Sequence, residues 1–327
     1  MNQNLTDLSL DLLKALKKTS DFQKIEELIE KIHFSKSQIH KAIKELKSFG
    51  YQIESKKEKG IRLTFIPDRL FPFEITENLK TKFLGGKIYY YGKIGSTNEL
   101  GYRLAQVEAE EGTLIITEEQ TKGKGRMGRS WYSPPYLGIW MSLILRPDIS
   151  PSKAPALSLC AGLALALSIK KLTGLDAKLK WPNDCLINRK KVGGILLELQ
   201  AELDRINFVI LGLGVNINQT QKDFPKKIKK TATSLRIELK KNVGRVLLLK
   251  LFLENFEKIY SSFKEDGLTF LKKRIKNLSV VLGENIELSF GRKKIKGKAL
   301  DIDDDGSLLV ESKGKKIKVF AGEVTLK

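Results

Sequence analysis

A chain of 327 residues with 41% apolar and 30% charged residues holds material for two or three domains and a sizeable core. Its formal net charge of +21 points to acidic partners without locating them: Lys226, Lys227, Lys229 and Lys230, then Lys272, Lys273 and Arg274, carry as much of the excess as the N-terminal region. With His33 and His40 as the only histidines, and Cys160 and Cys185 in apolar surroundings away from metal-ligand spacing, a Ser-His-Asp triad and a multi-histidine metal site are set aside and the thiols read as reduced and structural.

Leu5, Leu8, Leu12 and Leu16 lie at helical spacing, and Asp7 and Asp11 interrupt the stripe, which speaks against a signal peptide. Asp21 is expected to cap a second helix carrying Ile25, Leu28, Ile29 and Ile32. Ser35 and Gln38 form an S-x-x-Q capping box for a third, which packs through Ile39, Ala42, Ile43 and Leu46 and stops near Gly50. Residues 51–54 and 60–63 then read as a hairpin around Lys56, Lys57 and Lys59. Three short helices and a basic hairpin resemble a winged helix-turn-helix, whose third helix enters the major groove while the wing tracks the phosphate backbone. Lys36, Ser37, His40, Lys41, Lys44 and Lys57 are the candidate DNA contacts. The alternative is a small helical interaction domain with solvated lysines. His33 occupies a turn that often holds glycine. Residues 1–66 form this domain, and 67–81, with Pro67 and Pro72, the linker.

Strands are expected at 87–91, 113–118, 139–146, 178–180, 185–187, 192–200 and 208–215, with helices over 98–108 and about 153–172. The apolar run 154–169 is broken by Pro155, Ser158, Gly162 and Ser168 and falls short of the roughly 18–20 residues that span a bilayer, so it reads as a buried helix of a cytoplasmic chain with no membrane partner. Ser96 and Glu99 form a capping box, which leaves the Ser96 and Thr97 hydroxyls as either ordinary caps or ligand contacts. Gly123-Lys124-Gly125-Arg126-Met127-Gly128-Arg129-Ser130-Trp131 alternates glycines with cations. Its glycines are expected to turn successive N–H groups inward around an anion, with Lys124, Arg126 and Arg129 supplying charge; a solvated basic loop is the alternative. The stretch nearly satisfies G-x-G-x-x-G and Walker A, but both motifs require a helix to follow, and Pro134 and Pro135 forbid one. Lys180-Trp181-Pro182-Asn183-Asp184 reads as a turn with Trp181 anchored in the core and Lys180 at a strand end. Glycines inside the strands at 193–194, 212 and 214 mark close approach of backbone or ligand.

Helices over 244–263 and 268–275 follow, then five short strands at 280–282, 286–289, 294–301, 308–312 and 316–320, with a turn at Asp304-Asp305-Gly306. Five strands in so short a stretch suggest a small SH3-like barrel, serving ATP or a partner domain, or acting as a plain stabilising cap.

S-T-N at 96–98, E-x-Q-x-x-G-K-G-R-x-G-R-x-W ending at Trp131, K-W-P-N-D at 180–184, K-V-G-G-I-L at 191–196 and G-x-G-x-N-x-N at 212–218 together resemble, in order and spacing, the biotin–protein ligase family. With its helix-turn-helix the chain is similar to the bifunctional ligase and biotin operon repressor members along nearly its whole length. The resemblance implies an α+β protein: a winged helix-turn-helix, a central mixed-sheet, class II synthetase-like ligase domain over 82–277, and an SH3-like domain over 278–327. It implies activation of biotin by ATP with Mg²⁺, then transfer to a lysine of the biotin carboxyl carrier protein of acetyl-CoA carboxylase. Lys180 and Arg126 would be catalytic. Ser96, Thr97, Asn98, Gln120, Lys124, Gly125, Arg126 and Lys180 would bind biotin, and Gly123, Lys124, Arg126, Arg129, Trp131, Asn183 and Asn216 the adenylate. Operator DNA and a homodimer formed in the adenylate-bound state are the further partners implied. A ligase without operator-specific repression and a lipoate-type ligase are the alternatives. One departure stands out: the family loop usually reads G-R-G-R, and Lys124 keeps the charge but not the bidentate fork.

Overall fold

A computed structural model describes residues 5–290 and 293–326, which form two compact units divided between Glu74 and Ile75. In the first, α1 (Asp7–Lys17), α2 (Ile25–Ile32) and α3 (Lys36–Ser48) precede the antiparallel hairpin β1 (Gln52–Lys56) and β2 (Gly60–Phe65). Leu12, Leu16, Leu28, Ile39, Leu46, Tyr51 and Ile61 bury one face of each element in a common core. The Ser35–Gln38 capping box is formed in both directions, at 2.8 and 3.3 Å. Asp21 does not cap α2: the N-cap is Lys24, without a side-chain bond, and the Asp21 N–H instead turns back to Thr19 Oγ1 at 3.1 Å. His33 takes the left-handed conformation (φ 55°) that lets the α2–α3 turn close without glycine. A short helix, α4 (Pro72–Thr76), lies within the expected linker and spans the division between the units.

The second unit is built on a seven-stranded sheet in the order β3-β4-β5-β9-β8-β7-β6. Its strands are β3 (Ile88–Tyr91), β4 (Leu114–Thr117), β5 (Gly138–Leu145), β6 (Lys178–Lys180), β7 (Asp184–Ile187), β8 (Lys190–Ala201) and β9 (Ile206–Asn216). Only β3 and β4 run parallel; the other pairs are antiparallel. Every residue of β5 is buried, because side chains alternate across a sheet covered on both sides. Helix α5 (Thr97–Gln106) packs against β4, β5 and β9 over a core that includes Ala105, Ile115, Ile144 and Ile210. Helix α6 (Ala156–Thr173) meets β6, β7 and β8 and is apolar and long enough to cross a membrane by composition, yet it lies largely buried inside this unit. A short α7 (Leu235–Leu239) not foreseen from sequence is followed by α8 (Arg245–Asp266), which packs on α6 and β5, and by α9 (Thr269–Leu278).

The remaining strands, β10 (Asn285–Phe290), β11 (Lys293–Ile302), β12 (Leu308–Ser312), β13 (Lys315–Val319) and β14 (Glu323–Leu326), form an antiparallel sheet in the order β13-β12-β11-β10-β14. The stretch expected as a strand at 280–282 is irregular; the Val280 N–H reaches Leu179 O at 2.9 Å, and the fifth strand comes from Glu323–Leu326 instead. This sheet meets the loops of the seven-stranded one at two places: the Gly306 carbonyl, in the β11–β12 turn, accepts the Trp181 indole N–H at 2.9 Å, and Gly322 O, just before β14, accepts from Arg126 of the glycine-rich loop.

Candidate active site

The floor of the site is a stretch of β8 and β9 without side chains. A Cβ at Gly212 would lie 2.1 Å from Asn98 Oδ1, and one at Gly214 only 2.4 Å from Trp131 Nε1. Gly194, paired with Gly214 across the ladder, has the same indole 3.0 Å from its absent Cβ. The strand glycines are therefore a trench that receives Asn98 at one end and Trp131 at the other.

Above one end, polar groups of α5 and β4–β5 form a continuous hydrogen-bond chain. Glu198 accepts from Asn98 Nδ2 at 2.7 Å, and the single Ser142 hydroxyl proton is shared between Asn98 Oδ1 and Thr97 Oγ1, 2.6 and 2.8 Å from its oxygen. Gln120 Oε1 accepts from the Thr97 N–H and hydroxyl at 2.9 and 3.1 Å, while its Nε2 donates to Ser133 Oγ at 2.9 Å. Ser96 was expected to cap α5, but it makes no side-chain capping bond, so its hydroxyl lines the cavity instead. Ser142 and Glu198 went unnoticed in the sequence. Their signal was there: a lone hydroxyl in the otherwise apolar β5, and a lone carboxylate in the apolar middle of β8.

Loop 123–131 is a closed hairpin rather than an inward-facing nest. Its N–H groups bond within the loop: Gly125 to Arg129 O (2.6 Å), Arg129 to Arg126 O (3.2 Å) and Trp131 to Gly123 O (2.8 Å). Of its glycines only Gly128 has positive φ (71°), following Met127 in the left-handed region. These three amides are therefore not turned toward an anion as expected, because the loop's own carbonyls hold them. Its side chains point outward to anchors. Arg126 Nη1 donates to Asn183 Oδ1 at 3.0 Å and to Gly322 O at 3.3 Å. Arg129 forms a two-pronged pair with Glu323, one contact being 2.7 Å. Burial draws the Arg126 pKa below its ordinary value, and the carboxylates of Asp184 and Glu323 pull the other way. The Arg129 hydrogen bond holds the Glu323 carboxyl below its usual range.

K-W-P-N-D makes the tight connection between β6 and β7, with a cis peptide bond at Trp181–Pro182. Trp181 is buried, Lys180 ends β6 facing the cavity, and Asn183 Nδ2 ties back to Ile195 O at 2.8 Å. Asp184 pairs with Lys191 Nζ at 2.6 Å, and that ammonium lies 5.1 Å from the Trp131 ring centre. All these groups surround one cavity of ≈ 600 Å³. Ser96, Thr97, Asn98, Gln120, Lys124, Gly125, Arg126, Arg129, Trp131, Lys180, Asn183 and Asn216 line it. Gly123 does not; a Cβ there would lie 2.4 Å from Trp131 O, so its place is in closing the hairpin. Asp184, Lys191 and Glu323 also line the cavity, and sequence reasoning had given none of them a role. Trp131 Nε1 is buried with no hydrogen-bond partner among the described residues.

Residues 93–216 match the biotin/lipoate A/B protein ligase family, residues 9–62 an HTH domain, and residues 281–327 the biotin protein ligase C terminal domain. The chain is 39% identical over 307 residues to the bifunctional ligase/repressor BirA of Bacillus spizizenii, covering 94% of each chain. It belongs to the bifunctional biotin ligase/repressor family. BirA of Bacillus subtilis is 40% identical over 292 residues, 89% of this chain and 90% of that one. Among solved structures, the Aquifex aeolicus biotin protein ligase in complex with biotin and ATP superposes with a TM-score of 0.64 at 30% identity, covering 74% of this chain and 99% of that one. In the first unit, the family's DNA-binding half, Lys36, Ser37, His40, Lys41 and Lys44 are exposed on α3, and Lys57 is exposed at the hairpin tip. His40 Nδ1 donates to Lys36 O at 2.8 Å, which orients its ring along the helix.

Proposed function

We propose that this chain joins biotin to ATP and transfers the activated biotin to a lysine of a biotin carboxyl carrier protein, and that it also acts as a biotin-responsive repressor. The observation that carries the ligase reading is the convergence of Ser96, Thr97 and Gln120 with Lys124, Arg126 and Lys180 on one cavity above a glycine floor. A carboxylate and an α-phosphate repel until cations screen both, and fixed cations in a half-dry cavity do so without reorganising. In the first step a biotin carboxylate oxygen attacks the α-phosphorus, the bond to the bridging oxygen breaks, and pyrophosphate leaves. Lys180 sits between the two anions, with Arg126 and Lys124 on the phosphate side. In the second, the acceptor amine attacks the acyl carbon, AMP departs, and the amine loses a proton. Ser96, Thr97 and Gln120 hold the ureido end, with Asn98 and Gly125 beside them. Trp131, Arg129, Asn183 and Asn216 enclose the adenylate, and Gly123 closes their loop. The orphan Trp131 N–H is a donor awaiting a ligand acceptor, since leaving it unpaired costs about 1–3 kcal/mol. Mg²⁺ enters as counter-ion of the ATP substrate.

Incubating the purified chain with ATP, biotin and a carrier domain tests this directly. Biotin on the carrier lysine, with pyrophosphate released, is the expected result; modification of a lipoyl domain in place of biotin transfer would overturn it. For the repressor, Lys36, Ser37, His40, Lys41, Lys44 and Lys57 contact operator DNA, and the biotinyl adenylate favours a homodimer that spans an inverted repeat, all in the cytoplasm. Residues 1–66 serve this role, 82–277 catalysis, and 278–327 hold the loop. Gel shifts with the adenylate should show preference for operator over random duplex; equal affinity for both would remove the repressor half.

A further inference from the structure

Lys226, Lys227, Lys229 and Lys230 put four cations into five residues, and the adenylation chemistry leaves them unused. Their segment has a fixed shape. The Thr220 N–H and hydroxyl both donate to Asp223 Oδ2 at 2.6 and 2.7 Å, Gln221 Nε2 donates to Lys229 O at 2.8 Å, and Phe224 is buried. It is stitched to the start of β8 by Lys191 N–H to Thr231 O (2.8 Å) and Thr233 N–H to Lys191 O (2.9 Å), which brings Arg189 and Lys190 alongside. Arg189, Ile228, Thr231 and Ala232 line the cavity, whereas Lys190, Lys226, Lys227 and Lys230 stand outside its lining and are exposed. These cations make up one lip of the cavity mouth.

The lip is uncompensated. Some lysines elsewhere on this unit have carboxylate partners, as Lys276 has Asp301 at 2.7 Å and Lys318 has Asp305 at 2.8 Å, while others such as Lys170 and Lys273 have none among the described residues. Among the described residues, Lys190, Lys226, Lys227, Lys229 and Lys230 have none. The nearest carboxylates in sequence are already engaged, Asp223 by Thr220 and Glu238 by Asn188 Nδ2 at 2.6 Å. Crowded like charges repel, so holding them in a rigid segment is unfavourable unless a partner neutralises them.

We infer that this lip docks the acceptor protein by recognising carboxylates that flank its target lysine; the inference rests on the transfer reaction proposed above. A nucleotide inside the cavity meets Lys124, Arg126 and Lys180 instead. Only a body larger than the cavity touches residues outside its lining while it sends one amine in. A nucleic acid on the same lip would block that amine.

The test uses the full chain carrying K190E, K226E, K227E and K230E together, with the four Lys→Gln changes as a milder second variant. Pyrophosphate release from biotin and ATP without acceptor should stay within about twofold of the parent, which also shows that the fold is intact. Transfer kcat/KM to a carrier domain should fall about tenfold at low ionic strength, less for the glutamine variant, and the difference should shrink at high salt. A carrier domain whose carboxylates around the acceptor lysine are neutralised should be slow with the parent and indifferent to the substitutions. Unchanged transfer at low salt overturns the inference, as does a matching fall in pyrophosphate release, which would make the lip an ATP-capture device. Lost operator binding with intact transfer would assign it to nucleic acid. Failure of the parent chain to transfer biotin at all would instead remove the underlying reaction.

Discussion

Gly212 and Gly214 lie in extended strand backbone that any residue adopts, and what bars a side chain there is the space taken by Asn98 and Trp131. Gly128, in the loop opposite, has nothing within 4 Å of its absent Cβ and is needed only for its φ of +71°. One set of glycines lines the cavity and the other shapes the loop beside it, and they act through different physics. The floor glycines make room, so an added methyl displaces an atom of the site. The loop glycine permits a turn, so an added methyl strains the backbone and leaves the site's atoms where they were.

The largest expected effect breaks the floor. Gly214→Ala should push the indole out of its trench and lower adenylate formation about a hundredfold, since misplacement by an ångström is worth that much. Pyrophosphate release at near-parent rates, in a protein with unchanged circular dichroism, would show that Trp131 need not rest on the floor. Next, Arg126→Gly removes the bonds to Asn183 and Gly322 and should let activated biotin escape, raising labelling of a non-carrier protein roughly tenfold. Labelling restricted to the carrier in both proteins would count against the role of Arg126. Gly128→Ala should cost the closed loop about 1 kcal/mol through the left-handed backbone alone, seen as about fivefold faster adenylate release with the formation rate retained.

The smallest effects concern the loop's outer anchors. The Arg129–Glu323 pair is largely exposed and contributes about 0–1 kcal/mol, so Glu323→Gln should speed adenylate release no more than about fivefold at neutral pH. The folded-state pKa of Glu323 lies below its ordinary value of 4.5, so the pair's contribution is full above that value and is lost as pH falls through the depressed one. Release from the parent should therefore quicken at acid pH, and release from the glutamine variant should not. Lys124→Arg restores the fork at the departed position and should slow release slightly; a faster release would mean that the lysine suits this loop better.

Much of the architecture could be read in advance because its causes are local. The Ser35–Gln38 box, the apolar run that became α6, and the strands β5 through β9 all follow from spacing and side-chain type. Where local reasoning failed, a longer-range partner had prevailed. Asp21 turned back to Thr19 and left α2 without a side-chain cap. Ser96 gave up its capping bond at the edge of the cavity. The Gly125, Arg129 and Trp131 amides of the glycine loop bonded to its own carbonyls, because a hairpin between Lys124 and Ser130 satisfies these three without a ligand.

The sequence by itself determined the family, the order of the elements and the residues that carry charge and hydroxyls, since these depend on identity and spacing along the chain. The tertiary structure alone decided which of them meet. Nothing in the spacing places Glu198 against Asn98, 100 positions apart, or Glu323 against Arg129, 194 apart. Nor does it place the lysine lip beside the cavity through Lys191 and Thr231. Those contacts are made where the strand order of the sheet returns distant segments to neighbouring positions, and side-chain type carries no record of that order.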